Sequence, residues 1–582
     1  MICVTKYEKL LKSWCDKLIE LQITEMKDPN FYGAIMCPAC TCVHSRCGDA
    51  VYPFMCVYGM TGDEKYLNAA KAVVDWSEYN IKRPDGTYFN EKTSNWKGIT
   101  AFSLMAVGDA LIYHGHLLDE ETKAKWISIV DRMAEAIYVY FASDSFRPVI
   151  NYHAGECSAM AVAYAVTGKE KFKERAYKKY EYTKNFFNTE GFLTGEGYPK
   201  DTDRCSHVDI GYNVEESLPS LAIFGHIMKD EAVMEFVCEK FKAHIAFMLP
   251  DGAWNNSFGS RANKWTYWGS RTSDGCGEGL CLLAGYDDIF AEVCERNFDM
   301  LEYCSDDGYL YGGYMYKEYG EEPCTHHSFC HAKAVAAMID NGFQYKNKTL
   351  LPCDEQTGLV SYETLGVDSI SVGDFRATVS MTDVANYDGC ATTGGSVTML
   401  WHKAVGPIFA ATMARYAMSE PRNMQFSRCD DIMPCTTIRV AKGDYMSVNE
   451  TNCHASSSEK DGVITVKANG QLKNTHFNTN GAEYELEYTF TKDCFSVKAR
   501  CSSDARLMIP VICSKDDEIT VNGSSCVVMR KGVKLTLECY GSTFESPDDK
   551  HFRNFNVVGG FGTFPLWIEL KKDEAAGFML KI

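Results

Sequence analysis

Residues 61–66 read TGDEKY, and residues 167–172 read TGKEKF. In each, an apolar helical run stops at Thr-Gly. Gly just past a helix end supplies the left-handed stop, and the charged residues behind it open the next helix. One turn used twice predicts a chain of helical hairpins. Working outward, 3.6-residue periodicity marks about twelve helices before residue 346, among them Tyr7–Leu21, Asp49–Tyr58, Lys65–Tyr79, Ala101–Tyr113, Glu121–Tyr140, Glu156–Val166, Glu170–Phe187 and Ser328–Asp340. Paired helices repeating about six times predict an (α/α)6 toroid over residues 1–350.

After Leu351 the period falls to two. DSISVGDFRATVSM, YELEYTFTKDCFSVKARC and VKLTLECYG alternate apolar with polar residues between Gly, Asn and Asp turns. Residues 351–582 therefore predict an antiparallel β-sandwich, with the boundary near Lys346–Gly358.

The chain has 582 residues and a net charge of −19, which argues against a nucleic-acid partner. Local Arg, Lys and His can still hold an anionic sugar inside an acidic protein. The N-terminal MICVTKYEKLLKSWCDKLIEL carries charges throughout and lacks the apolar run of a secretory signal. No stretch has the length of a membrane span, so a cytoplasmic protein without a membrane partner is expected. In that setting the 26 cysteines are expected as thiols or metal ligands. A homo-oligomer is left open.

Four cysteines and a histidine fall in CPACTCVHSRC, residues 37–47. Cys37, Cys40, His44 and Cys47 have the C-x2-C-x3-H-x2-C spacing of a zinc knuckle, so one structural Zn2+ is expected there, and no organic cofactor. The alternatives are an unligated Cys-rich loop, or His44, Arg46 and Asp49 as substrate contacts. In NYHAGECSAM, Asn151, His153 and Glu156 precede an apolar helix, as cleft residues or ordinary caps.

EGYPKDTDRCSHVDIGYNVEESLPSL, residues 196–221, is the densest polar stretch. Two carboxylates flank the bond in a glycoside hydrolase, and Asp209 with Glu216 is the expected pair, Glu215 the substitute. A lyase would use Tyr212 with His153 to move the C5 proton, an Asn or Arg neutralising the uronate carboxyl. One of the two glutamates is expected to serve only the helix N-terminus. In residues 250–280, Trp265, Tyr267 and Trp268 offer faces for sugar stacking, and Arg261 and Arg271 offer cations for a carboxylate; a buried aromatic loop is the alternative. In CTHHSFCHAKAVAAM, His326 and His327 are expected in the cleft, since Cys324, His327 and His331 lack a fourth metal ligand.

A toroid followed by a sandwich resembles the heparinase and alginate-lyase type of polysaccharide lyase. CPAC (37–40), HSRCGDAVYP (44–53), VDIGYNVEESLP (208–219) and GGSVTMLWHKAVGP (394–407) are similar to glycoside hydrolase family 154, bacterial exo-acting glucuronidases. The heparinase-like lyases place an H-x-H-x-D-type motif at the start of the sandwich, and residues 351–410 contain none. The resemblance thus implies an exo-acting hydrolase on uronic-acid-containing oligosaccharides. A β-eliminating lyase is the alternative, and a non-catalytic glycan binder the third. Acids clustered at Asp209–Glu216 argue against the binder, which would avoid them around an anionic sugar.

Overall fold

The computed structural model describes residues 4–25, 30–91, 95–142, 149–197, 205–382, 392–411, 413–414, 416–420, 424–425, 427 and 435–582. Tyr198, Asp201, Asp203 and Arg204 of the polar stretch lie outside them.

Six helices form a closed inner ring. α1 (Lys6–Glu20) precedes it. α2 (Val51–Thr61) packs on α4 (Ile99–His114) across α3 (Glu64–Asn80) in sequence, and α4 packs on α6 (Ile150–Thr167) past α5 (Glu120–Tyr140). After α7 (Glu170–Lys184) comes the single turn α8 (Ile210–Tyr212) and a π-helical segment, Asn213–Ser217. The ring continues through α9 (Leu218–Met228), α11 (Gly277–Leu283) and α13 (Thr325–Asp340), which closes on α2. α3, α5, α7, α10 (Glu231–Ile245), α12 (Asp288–Tyr303) and α1 lie outside. Inner helices such as α4 and α13 are buried on nearly every side, whereas outer ones bury one stripe.

The repeated turn joins an inner to an outer helix both times. Gly62 and Gly168 end α2 and α6 with φ near 68° and 69°. Thr61 and Thr167 each bond the carbonyl four residues back and receive the amide two residues on. Tyr66 and Phe172, the sixth residues, are both fully buried, worth about 1.5–3 kcal/mol each. Only the first copy has a side-chain cap, from Asp63 to the Lys65 amide.

The β-domain stacks a five-stranded antiparallel sheet (358–410) on a larger antiparallel sheet (439–581). Ile370, Phe375 and Leu400 meet Val466, Tyr488 and Phe578 between them. Ser396–His402 is buried throughout because both its faces are covered. Leu400 points into the sandwich, while Met399 and Trp401 join the core of the toroid. Among the described residues, no helix is long and apolar enough to cross a membrane.

Candidate functional site

α6 begins at Ile150, earlier than the sequence indicates, so Asn151 and His153 lie within it rather than before it, and Glu156 lies two turns in rather than at its start. Residues two apart on a helix face opposite sides. Asn151 therefore points into the ring, where its Nδ2 donates to Glu216 Oε1 at 2.6 Å. His153 points at α7, with Nδ1 3.1 Å from Lys179 Nζ and its ring against Tyr182. It does not join Tyr212, because helix geometry sends it to the outer layer.

Tyr212 precedes the π-helical segment and Glu216 lies within it. π-bulges recur at functional sites because they re-aim side chains within a helix. Glu215 and Glu216 consequently diverge. Glu215 accepts from the Ser270 amide and Ser273 hydroxyl and lies 3.3 Å from His331 Nε2, anchoring the hairpin 265–270. A Cβ at Gly269 would fall 2.0 Å from Glu215 Oε1, so a larger residue there would displace that carboxylate from its hydrogen bonds. Glu216 faces Asn151 and is pushed up to about 8 by burial and the nearby Asp274 charge, against the pull of Arg46 and Asn151. Its Oε2 and Asn151 Oδ1 are buried without a hydrogen-bond partner among the described residues.

Tyr212 Oη lies 2.6 Å from Thr272 Oγ1 and accepts from Lys264 Nζ at 3.1 Å. Arg261 and Lys264 sit 4.8 and 4.9 Å from its ring centre. Burial holds the phenol well above its ordinary value, and Arg261 pulls it down. Burial and Arg261 depress Lys264 to about 8. Arg261 spends its terminal nitrogens on Glu196 (2.6 Å) and on Glu420 (3.0 Å), which descends from the β-domain and also pairs with Lys264 (2.8 Å). It is therefore not the free cation expected for a substrate carboxylate. Arg271 is different. Its guanidinium is buried and donates to Gln425 and to the Tyr316 hydroxyl, both uncharged.

Arg46 and Asp49 also differ from expectation as substrate contacts. Arg46 is ion-paired to Asp49 and Asp274, and Asp274 also holds Lys333 at 2.8 Å. This scaffold lies behind Glu216, and Asp49 is fully buried. Asp209 caps α8 by accepting from the Tyr212 amide at 2.7 Å and from Asn256; burial raises it to about 6. Asp209 is thus a helix cap, and among the described residues no hydrogen bond joins it to Glu216.

Trp265, Tyr267 and Trp268 are core, not stacking platforms. Each is at most 1% exposed. Trp265 donates to the Trp254 carbonyl, Trp268 to the Tyr311 carbonyl and Tyr267 to Asp251. Trp265 and Tyr267 pack on Phe561 of the β-domain, sealing the two units together. His326 and His327 lie near Arg46 and Arg271 respectively. Burial and those cations hold both imidazoles well below the ordinary value.

Cys37, Cys40 and His44 gather as the spacing predicts, but the fourth member of the group is Cys324. Cys47 belongs to the apolar core instead, and burial raises its thiol to about 12. The turn at Ser45–Ala50 rotates Cys47 away from His44.

Sequence reasoning missed Thr272, Glu420 and Cys324 in these roles. Each meets its partners across 60 or more residues, and no local pattern marks them.

Two family models match: the ulvan lyase N-terminal domain over residues 11–354 and the ulvan lyase C-terminal domain over residues 359–582. The chain is 33% identical over 581 residues to a broad-specificity ulvan lyase of Formosa agariphila, covering 96% of this chain and 90% of that protein. Among solved structures it is similar to the Streptomyces coelicolor A3 chondroitin AC lyase in complex with chondroitin sulphate. The TM-score is 0.55 at 10% identity, over 100% of this chain and 80% of that one; at that identity the likeness speaks for the toroid-plus-sandwich fold. These matches overturn the expected glucuronidase-type hydrolase and the assignment to glycoside hydrolase family 154. The missing H-x-H-x-D-type motif was a misleading guide, since its absence counted against the lyase reading that the family matches support. By both domains and by its end-to-end relative, this chain belongs to the ulvan lyase family.

Proposed function

We propose that this protein is a polysaccharide lyase cleaving uronate-containing glycans of the ulvan class by β-elimination. The observation that carries this reading is the end-to-end 33% identity to an ulvan lyase. The site supports it with a phenol–amine pair beside an amide and a carboxyl of raised pKa.

Elimination breaks C5–H and C4–O and forms a C4=C5 double bond without adding water. The uronate carboxylate must first be neutralised, or the carbanion would develop beside a negative charge. A protonated Glu216 donates from Oε2 to that carboxylate, while Oε1 keeps the Asn151 amide in place. Tyr212 takes the C5 proton as its phenolic proton passes to neutral Lys264, and the Lys264 ammonium so formed returns a proton through Tyr212 to the departing O4. Arg261 over the ring offsets the developing phenolate charge. Arg271, with uncharged partners, holds an acidic group of the glycan.

The test is incubation with ulvan and with glucuronate-containing oligosaccharides while recording the absorbance of the unsaturated uronate. A rise is expected. Free uronic acid without that rise, or binding without product, overturns the proposal.

A further inference from the structure

We propose that Cys37, Cys40, His44 and Cys324 bind one zinc ion, and that the metal clamps the N-terminal hairpin to the start of the last ring helix. This assignment is independent of the lyase reading.

The donor geometry carries it. A tetrahedral zinc with Zn–S of about 2.3 Å separates its sulfurs by about 3.8 Å. Cys324 Sγ lies 3.8 Å from Cys37 Sγ, 3.9 Å from Cys40 Sγ and 3.7 Å from His44 Nε2. All four donor atoms lie within 4.8 Å of one another. These spacings are far too long for a disulfide, whose sulfurs lie about 2.05 Å apart. Three thiols and an imidazole form a complete structural zinc set. The frame around them is prearranged. Met36–Cys37 and Cys42–Val43 form a two-rung antiparallel hairpin, with Thr41 in the left-handed region at φ 49°. The hairpin's Ala39 amide donates to the Pro323 carbonyl, one residue before Cys324. Cys324 itself occupies the N-cap position of α13 without capping it, and its sulfur is turned onto the hairpin's Cys37, Cys40 and His44 instead. Cys37 and Cys324 are buried, and Cys40 and His44 are half-buried, leaving the ion an approach.

The clamp joins the first and last parts of the ring. His44 is two residues from Arg46, and its ring lies 5.3 Å from that of His326. The metal therefore fixes one wall of the candidate site without being part of it.

Elemental analysis of the purified full-length protein should find about one zinc per chain. C324S should lose it, whereas C47A and C42S should keep it. C324S could fail to fold, so a second measurement uses the wild-type protein. It is stripped by a chelator under reducing conditions and titrated with Co2+ alone. Thiolate-to-cobalt charge transfer and tetrahedral d–d bands saturating at one equivalent are expected, with the bands lost on adding Zn2+. A metal-free protein that gives no such bands overturns the proposal. So does zinc that survives C324S but disappears in C47A, and so does a Cys37–Cys40 disulfide in protein purified under reducing conditions.

Discussion

α6 carries two buried polar clusters on opposite sides. On the outer side Glu156 takes Arg175 on one oxygen at 2.6 Å and Lys179 on the other at 2.8 Å. On the inner side Asn151 meets Glu216, and each retains a buried oxygen with no hydrogen-bond partner among the described residues. Both clusters hold a carboxylate with little or no exposure. The outer charge is matched by two cations, although Glu156 Oε2 meets Lys179 as an ion pair only, without hydrogen-bond geometry. The inner carboxyl instead has Asp274 raising its pKa, against Arg46 and Asn151. Leaving buried polar atoms unmatched costs stability, and carboxyls with raised pKa values cluster at functional sites. The first cluster holds α7 to the ring. In the proposed lyase the second cluster faces the substrate.

The largest effect should come from Tyr212→Phe. Removing the hydroxyl that moves the C5 proton should lower kcat by about 10²–10⁴-fold with little change in KM, read from the unsaturated-uronate band. Appreciable activity in this variant would break the assignment of the inner cluster as catalytic.

Glu156→Gln should act on stability alone. Stripping the carboxylate leaves Arg175 and Lys179 buried and unmatched, a loss of about 3–5 kcal/mol. Denaturant unfolding should report it, and kcat of the folded fraction should stay near wild type. A specific loss of kcat would erase the distinction between the two sides.

Arg271→Ala should raise KM on anionic glycan about tenfold or more, since one charge-assisted contact is worth about 1.5–3 kcal/mol. kcat should fall less. Equal loss on a neutral glycan would show that Arg271 only supports Tyr316.

The pH response sharpens the comparison further. Glu216 must be protonated to donate, and it titrates at about 8, so activity should fall as pH rises through that value. Lys264, also near 8, must be neutral to accept the phenolic proton, which sets a rising limb on the acid side. Glu216→Gln keeps a neutral donor at every pH. It should remain active and lose the alkaline fall. Stability has the same sign. A carboxyl raised on folding binds its proton more tightly when native, so its stabilising contribution is present below its unfolded pKa. That contribution is lost as pH climbs toward and past 8. Glu216→Gln should therefore melt above wild type at alkaline pH and show a flatter dependence.

The smallest effect should be that of His153→Gln, which touches Lys179 and Tyr182 on the outer side. Activity should stay within about twofold, as for sites away from catalytic groups. A large drop would return His153 to the chemistry.

Much of the architecture was legible because it is written in local periods. Thr-Gly stops repeat at Thr61 and Thr167 and set inner helix against outer helix. The fall to a period of two after Leu351 marks the sandwich. The polar stretch at 209–216 was also visible, as was the hairpin trio Cys37, Cys40 and His44. The roles inside these stretches were not. Neighbouring Glu215 and Glu216 read alike in sequence, and only the π-helical segment turns one to the hairpin and the other to Asn151. Aromatic residues at 265–268 read equally well as a sugar platform or as a seal, and Phe561 decides for the seal. Burial and pairing depend on residues hundreds of positions away. Glu420 fills Arg261 and leaves Arg271 with uncharged partners. Cys324 replaces Cys47 because the closed ring brings the first hairpin onto the last helix. Sequence by itself determined which helices and strands form, since spacing along the chain governs which residues share a face. Tertiary structure decided which charges are matched and which donors converge, because those depend on through-space distances that spacing along the chain does not encode.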